Sequence, residues 1–263
     1  MLVAGASFAA LASCGRLDFN ALSDGASDGI VGPDAALANL IGWWKLDESS
    51  GVAAADSSGN GEVGIVPSGA RWVPGRINNG LVLDGVSQYV DVPDSSTLRV
   101  AGSWTISTWL NLSATPASGQ MYTVLAKTDA SGYETYSLRI DNNYGQFGTT
   151  SPGSFVVQFA SAGGVDSFAL ETPASIQTNH WYHLAGTWNA ATSLLSLYVD
   201  GQLTASTTAT GMIPTTVAGE DFLIGDNAGD IDQPTAGTFD DVRIYDRPLS
   251  AAEINQLFVA PGG

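Results

Sequence analysis

The sequence predicts an all-β fold, a sandwich or barrel of many short strands with one short C-terminal helix. Thirty-one glycines stand with many Ser, Thr, Asn and Asp residues between short apolar runs, the composition that frequent turns require. Strong helix formers such as Lys, Glu and Gln are sparse. At 44% hydrophobic and 13% charged, the chain can bury a core and is not disordered by composition.

The elements follow in order. LIGWWKL, GLVLDG, SQYVDV, SWTISTWLNL, MYTVLAKT, ETYSLRI, SFVVQFA, HWYHLAGTW, SLLSLYV, DFLIG and TFDDVRIY are short apolar or alternating segments bounded by turn signals. In SWTISTWLNL, Trp104, Ile106, Leu110 and Leu112 share one face, while Trp109 falls on the polar face with Thr105, Ser107 and Asn111. A second layer or a ligand surface would need a Trp there. Trp43, Trp44, Trp104, Trp181 and Trp188 also sit in strand segments and are expected as core or second-layer packing. Asp200-Gly201 has the composition of a type I′ hairpin turn between SLLSLYV and QLTAS. Only the last segment reads as helix: Ser250 to Glu253 is a capping box after Pro248, with Ile254, Leu257 and Phe258 at helical spacing. With no repeat of 20 to 50 residues, one domain over residues 40–260 is the simplest organisation.

Several function classes lose their parts. Nine basic against 26 acidic side chains give −17, which repels phosphate backbones and argues against nucleic acid as a partner. Gly59 to Gly64 matches a G-x-G-x-x-G string but lacks the strand before and the helix after that a dinucleotide site needs. His180 and His183, three apart in a strand, point to opposite faces and cannot share a metal. No G-x-S-x-G or H-E-x-x-H string occurs. The single cysteine, Cys14, excludes an internal disulfide.

Residues 1–14 end in Leu11-Ala12-Ser13-Cys14, which resembles the lipobox of bacterial lipoprotein signal peptides. The stretch is short of the roughly 20 residues that a membrane-spanning helix needs. The resemblance implies lipidation at Cys14, and export to the outer membrane or cell surface with a lipid anchor as the only membrane contact. Residues 15–39, rich in Asp, Gly, Ala and Ser, read as a flexible tether.

Over residues 40–260, the stretches GWWKLDESSGVAAADSSGNG, GLVLDGVSQYVDVP, HWYHLAGTWNAATSLLSLYVDGQL and FDDVRIYDRPLSAAEI together resemble the bacterial laminin G-like, concanavalin A-like jelly roll, which implies a β-sandwich of two antiparallel sheets. Strict alternation in TFDDVRIY puts Asp240 on the face of Val242 and Ile244, where an inward carboxylate would need a cation or several donors. The resemblance implies a structural calcium held by Asp240 with the loop Asp56 to Gly61, so that Asp56, Asn60 and Asp84 join Asp240 as metal candidates. An Asx turn would equally explain DSSGNG. A second acidic loop containing Asp226, Asn227, Asp230 and Asp232 fails the EF-hand pattern and reads as a solvated turn.

The resemblance implies binding more than catalysis. Laminarinase-like β-glucan hydrolases share the jelly roll but carry E-x-D-x-x-E, and that string is missing. A polysaccharide or glycoconjugate is the expected partner, with a cell-surface protein, as for an adhesion module, as the alternative. Sugar recognition asks for exposed aromatic platforms beside amides, and Tyr133, Asn142, Asn143 and Tyr144 are the candidates. Packing at the sandwich edge would also account for them. A groove of aromatics and amides would favour sugar, and a flat apolar patch would favour protein.

Overall fold

The computed structural model describes residues 37–130, 132–145, 147, 153–161, 163–171, 176–216, 218–227 and 234–260. Cys14, residues 15–36 of the tether, and Asp230 and Asp232 lie outside the described residues. In chain order the strands are β1 (Leu40–Trp44), β2 (Ala53–Ala54), β3 (Gly64–Ile65), β4 (Arg71–Pro74), β5 (Asn79–Asp84), β6 (Val90–Val92), β7 (Trp104–Leu112) and β8 (Gln120–Thr128). There follow β9 (Glu134–Asn142), β10 (Ser154–Ala160), β11 (Asp166–Glu171), β12 (Trp181–Asn189), β13 (Leu194–Val199), β14 (Gln202–Thr208), β15 (Phe222–Ile224), β16 (Ala236–Tyr245) and helix α1 (Ala251–Val259).

Two antiparallel sheets result. The first runs β14-β13-β12-β7-β16-β5-β4 with β1 also paired to β16, and the second runs β11-β10-β9-β8-β15-β6-β3-β2. Their apolar faces meet through aromatic pairs: Trp44 stacks on Phe222 at 5.3 Å, and Trp188 lies 4.6 Å from Phe159. Gly186 permits the close approach, since a Cβ there would fall 2.3 Å from Val157 Cγ2.

The expected hairpin forms at Asp200-Gly201, with φ of 49° and 75° as a type I′ turn demands. The capping box also forms: Ser250 Oγ accepts the Glu253 N–H, and the Glu253 carboxylate accepts the Ser250 N–H. Behind it α1 lays Ile254 and Leu257 on the outer face of the first sheet, against Leu40, Trp43, Ala185, Tyr198 and Tyr245. This second layer covers part of that face.

One expectation fails. Asp240 does not share the face of Val242 and Ile244, because β16 carries a bulge between Asp240 and Arg243 with Asp241 at φ 49°. The extra residue reverses the phase, so that Phe239, Val242 and Ile244 are all core residues. Asp240 instead pairs with Trp109, whose side chain is on the outer face. The bulge lies where β16 exchanges β5 for β1 as its neighbour.

Candidate functional site

The metal candidates separate into three places. Asp56 organises its own loop: its carboxylate accepts five hydrogen bonds, from the N–H groups of Trp43, Ser58, Gly61 and Glu62 and from Ser58 Oγ. Burial works to raise its pKa, and those hydrogen bonds outweigh burial and hold it below the usual carboxylate value. Asn60 Nδ2 donates to the carbonyls of Leu40 and Ile41, 3.2 Å from each. Asp84 Oδ1 accepts the N–H groups of Val86, Ser87 and Gln88, capping an exposed turn.

Asp240 differs. It is fully buried, its Oδ2 accepts the Ile77 N–H at 2.8 Å, and its Oδ1 has no hydrogen-bond partner. Burial, with the neighbouring charge of Asp241, pushes its pKa up to about 7 against the backbone hydrogen bonds. A small cavity of about 50 Å³ adjoins it, lined by Lys45, Asp47, Ile77, Asn78, Asp240 and Asp241. That is room for one ion or water, beside an unsatisfied hard oxygen. Among the described residues, no three acids, histidines or cysteines converge on one point. The residues therefore fit a cation only with carbonyl or water oxygens completing the shell, as calcium accepts.

The aromatic candidates do not form one surface. Tyr133 precedes β9 and Asn143 and Tyr144 follow it, so a strand about 27 Å long separates them at ~3.4 Å per residue. Asn142 is buried, and its amide donates to the Pro116 carbonyl at 2.8 Å. Asn143 is an exposed turn residue at φ 59°. Tyr133 and Tyr144 remain 38% and 36% exposed, beyond opposite ends of β9.

An open groove of about 440 Å³ gathers the features looked for, from residues scattered along the chain. Its lining is Arg76, Trp109, Asn179, His180, Trp181, Asp200 and Phe258. The floor is Trp109, buried between Phe258, stacked at 5.5 Å, and the Arg76 guanidinium, 4.6 Å from its ring centroid. His183 lies under the same ring at 5.2 Å. Trp181 is half-buried and lines the groove.

Local chemistry fixes the walls. Asp200 N–H donates to the His183 carbonyl at 2.8 Å, and Asp200 Oδ1 accepts the His183 N–H at 2.9 Å, locking the hairpin turn to β12. The Asn179 N–H donates to the Leu112 carbonyl at 2.8 Å with Asn179 at φ 57°. The signal for this groove was present in the alternation of HWYHLAGTW. Tyr182 and Leu184 face the core, which turns Trp181 and His183 to the outer face that already holds Trp109.

The two antiparallel sheets form a jelly-roll β-sandwich with an open groove on one outer face. The chain belongs to the concanavalin A-like lectin/glucanases superfamily, whose Laminin_G_3 model matches residues 84–255. No curated protein matches the sequence. Among solved structures, the chain is similar to the binding domain of Paraclostridial Mosquitocidal Protein 1, with 18% identity and a TM-score of 0.66 over 85% of this chain and 52% of that one. It is similar to the botulinum neurotoxin serotype D binding domain, with 17% identity and a TM-score of 0.64 over 85% and 52%. A third is Domain 4 of AbnA, a GH43 extracellular arabinanase from Geobacillus stearothermophilus, in complex with arabinotriose, with 21% identity and a TM-score of 0.59 over 83% and 98%. The chain spans about half the length of the first two. These likenesses establish the fold.

Proposed function

We propose that this chain is a non-catalytic carbohydrate-binding module whose ligand surface is the groove beside Trp181. The observation that carries the reading is the half-buried Trp181 ring set among Asn179, Arg76 and Asp200, an aromatic platform with an amide, a guanidinium and a carboxylate to engage hydroxyls. AbnA Domain 4, of similar fold, was solved with arabinotriose, which supports the same ligand class here. Retaining or inverting hydrolysis needs two carboxyl groups flanking the bond, and Asp200 is the one carboxylate among the described residues lining the groove.

The test is retention of the full chain on insoluble and soluble polysaccharides, with released sugars assayed in parallel. Retention that Trp181→Ala abolishes, without sugar release, is the expected outcome. Sugar release would overturn the non-catalytic reading, and retention by neither protein would overturn the sugar reading in favour of a protein partner at the cell surface.

A calcium ion at Asp240, with Asp47 beside it, would neutralise the Asp240 Oδ1 that burial leaves without a hydrogen-bond partner. Bound there, it would tie β16 to the β4–β5 turn. Thermal unfolding of the full chain in calcium against chelator tests it, and an unchanged midpoint counts against the ion. Lipid anchoring at Cys14, on the outer membrane or cell surface, completes the reading. Mass spectrometry of the chain from its exporting cell tests that part, and an unmodified Cys14 would remove it.

A further inference from the structure

Beyond the area under α1, the outer face of the first sheet carries a continuous row of side chains. Trp181 of β12 stands opposite Asn111 of β7, Asn111 opposite Thr238 of β16, Thr238 opposite Val82 of β5, and Val82 opposite Arg71 of β4. Their neighbours along each strand, Tyr182, Leu110, Phe239, Leu81 and Trp72, belong to the core or pack on it. Alternation therefore turns all of the row outward, and Arg71 is exposed while the others are half-buried. The row spans about 19 Å at ~4.8 Å per strand.

The chemistry of the row is unspent. Arg99, Lys127, Arg139, Arg243 and Arg247 each pair with a carboxylate, whereas Arg71 is in no ion pair among the described residues. On the outer face of the second sheet, Arg139 donates to Ser137 and Glu134, and Gln158 donates to Glu134. In that patch the guanidinium and the carboxylate are already paired with each other. The indole, amide, hydroxyl and guanidinium of the first-sheet row instead point at solvent, at near-regular spacing, and the row begins at the groove's own Trp181.

We propose that the sugar site continues out of the groove along this row, so that the ligand is an extended polysaccharide chain laid across the strands and held along its length. Trp181 stacks on one sugar ring, Asn111, Thr238 and Arg71 bond hydroxyls of successive units, and Val82 meets an apolar ring edge. This inference rests on the groove reading above. With Val82 as its only aliphatic member, the row is a polar track with one aromatic end, unlike the apolar centre that a protein partner would bury.

The experiment is affinity electrophoresis of the full chain in linear arabinan, xylan, β-glucan and polygalacturonate, followed by calorimetry with oligosaccharides of increasing length from the polymer that retards it most. Affinity should climb with length until the oligomer spans the row, then level off. Arg71→Ala and the double variant Asn111→Ala/Thr238→Ala should weaken the long oligomer about five- to tenfold, the effect of one or two lost hydrogen bonds. Arg71→Ala, four strands from Trp181, should leave the disaccharide unchanged, whereas Trp181→Ala should weaken every length. Equal affinity for disaccharide and long oligomer, or full affinity of Arg71→Ala and of the double variant for the long oligomer, would overturn the track while a Trp181→Ala defect kept the groove. Absence of retardation in all the polymers would overturn the groove and the track together. Unfolding midpoints at the wild-type value verify that these surface variants fold.

Discussion

Phe258 of α1 lies stacked on Trp109 of β7, with ring centroids 5.5 Å apart and 24° between the planes. The helix therefore completes the groove as well as covering the sheet, since Phe258 both lines the opening and buries its floor. Gly201 belongs to the same contact, because a Cβ there would come within 2.9 Å of Phe258 Cβ.

Phe258→Ala should cost about 2 kcal/mol, below the full range for a buried Phe because the ring is half-buried. Urea unfolding reads the loss, and the emission of newly wetted Trp109 should shift to the red. A wild-type midpoint would mean that this ring does not hold α1 to the sheet.

His183 sets the acid limit of stability. Burial first, then the charge of Arg243, pushes its pKa from 6.5 down to about 3 in the folded chain. A depressed histidine pKa means that unfolding takes up a proton, so stability is complete above about pH 6.5 and is lost as pH falls toward 3. The loss between pH 7 and pH 4 should be on the order of 3 kcal/mol. His183→Gln should flatten the dependence, and parallel pH profiles for the two proteins would refute the assignment.

Asp91 acts in the opposite direction. Burial, then its hydrogen bond with and repulsion from Asp221, raise its pKa from 3.8 to about 6. Its stabilising effect is present below about pH 4 and is lost as pH rises through about 6. Because Asp91 is only partly buried, solvent screening limits the effect to about 1 kcal/mol. Asp91→Asn should therefore raise the unfolding midpoint at pH 8 and leave it unchanged at pH 4. Equal shifts at both pH values would refute the pairing.

Local periodicity made much of this fold legible, and it failed at identifiable residues. The type I′ turn at Asp200, the capping box at Ser250 and the outward face of Trp109 each follow from neighbours within a few positions. Asp240 was misplaced because a single inserted residue, Asp241, inverts a period-2 pattern without any mark in composition. The groove was missed because Arg76, Trp109, Trp181, Asp200 and Phe258 meet only after β7, β12 and α1 are assembled. The tyrosines around β9 had the right composition for sugar, but a strand holds its two ends apart.

The bulge itself offers the sharpest test of how sequence sets this face. Asp241 Oδ1 accepts the Trp43 indole N–H at 2.6 Å and the Arg243 Nε–H at 3.1 Å, and both charged side chains are at most 4% exposed. The Arg243 guanidinium also lies 4.4 Å from the Trp43 ring centroid, so one carboxylate orders both the indole and the cation stacked on it. Asp241→Ala would leave a buried guanidinium without its counter-charge and place a Cβ residue lacking local hydrogen bonds at φ 49°, for a loss of about 3–5 kcal/mol. Asp241→Asn tolerates the left-handed backbone and can still accept from Trp43, so it should lose less than the alanine variant. Denaturant midpoints of the two proteins decide the matter. Equal losses would assign the effect to charge alone, whereas a milder asparagine variant would show that the bulge geometry and the indole hydrogen bond carry a share, and with them the outward placement of Asp240.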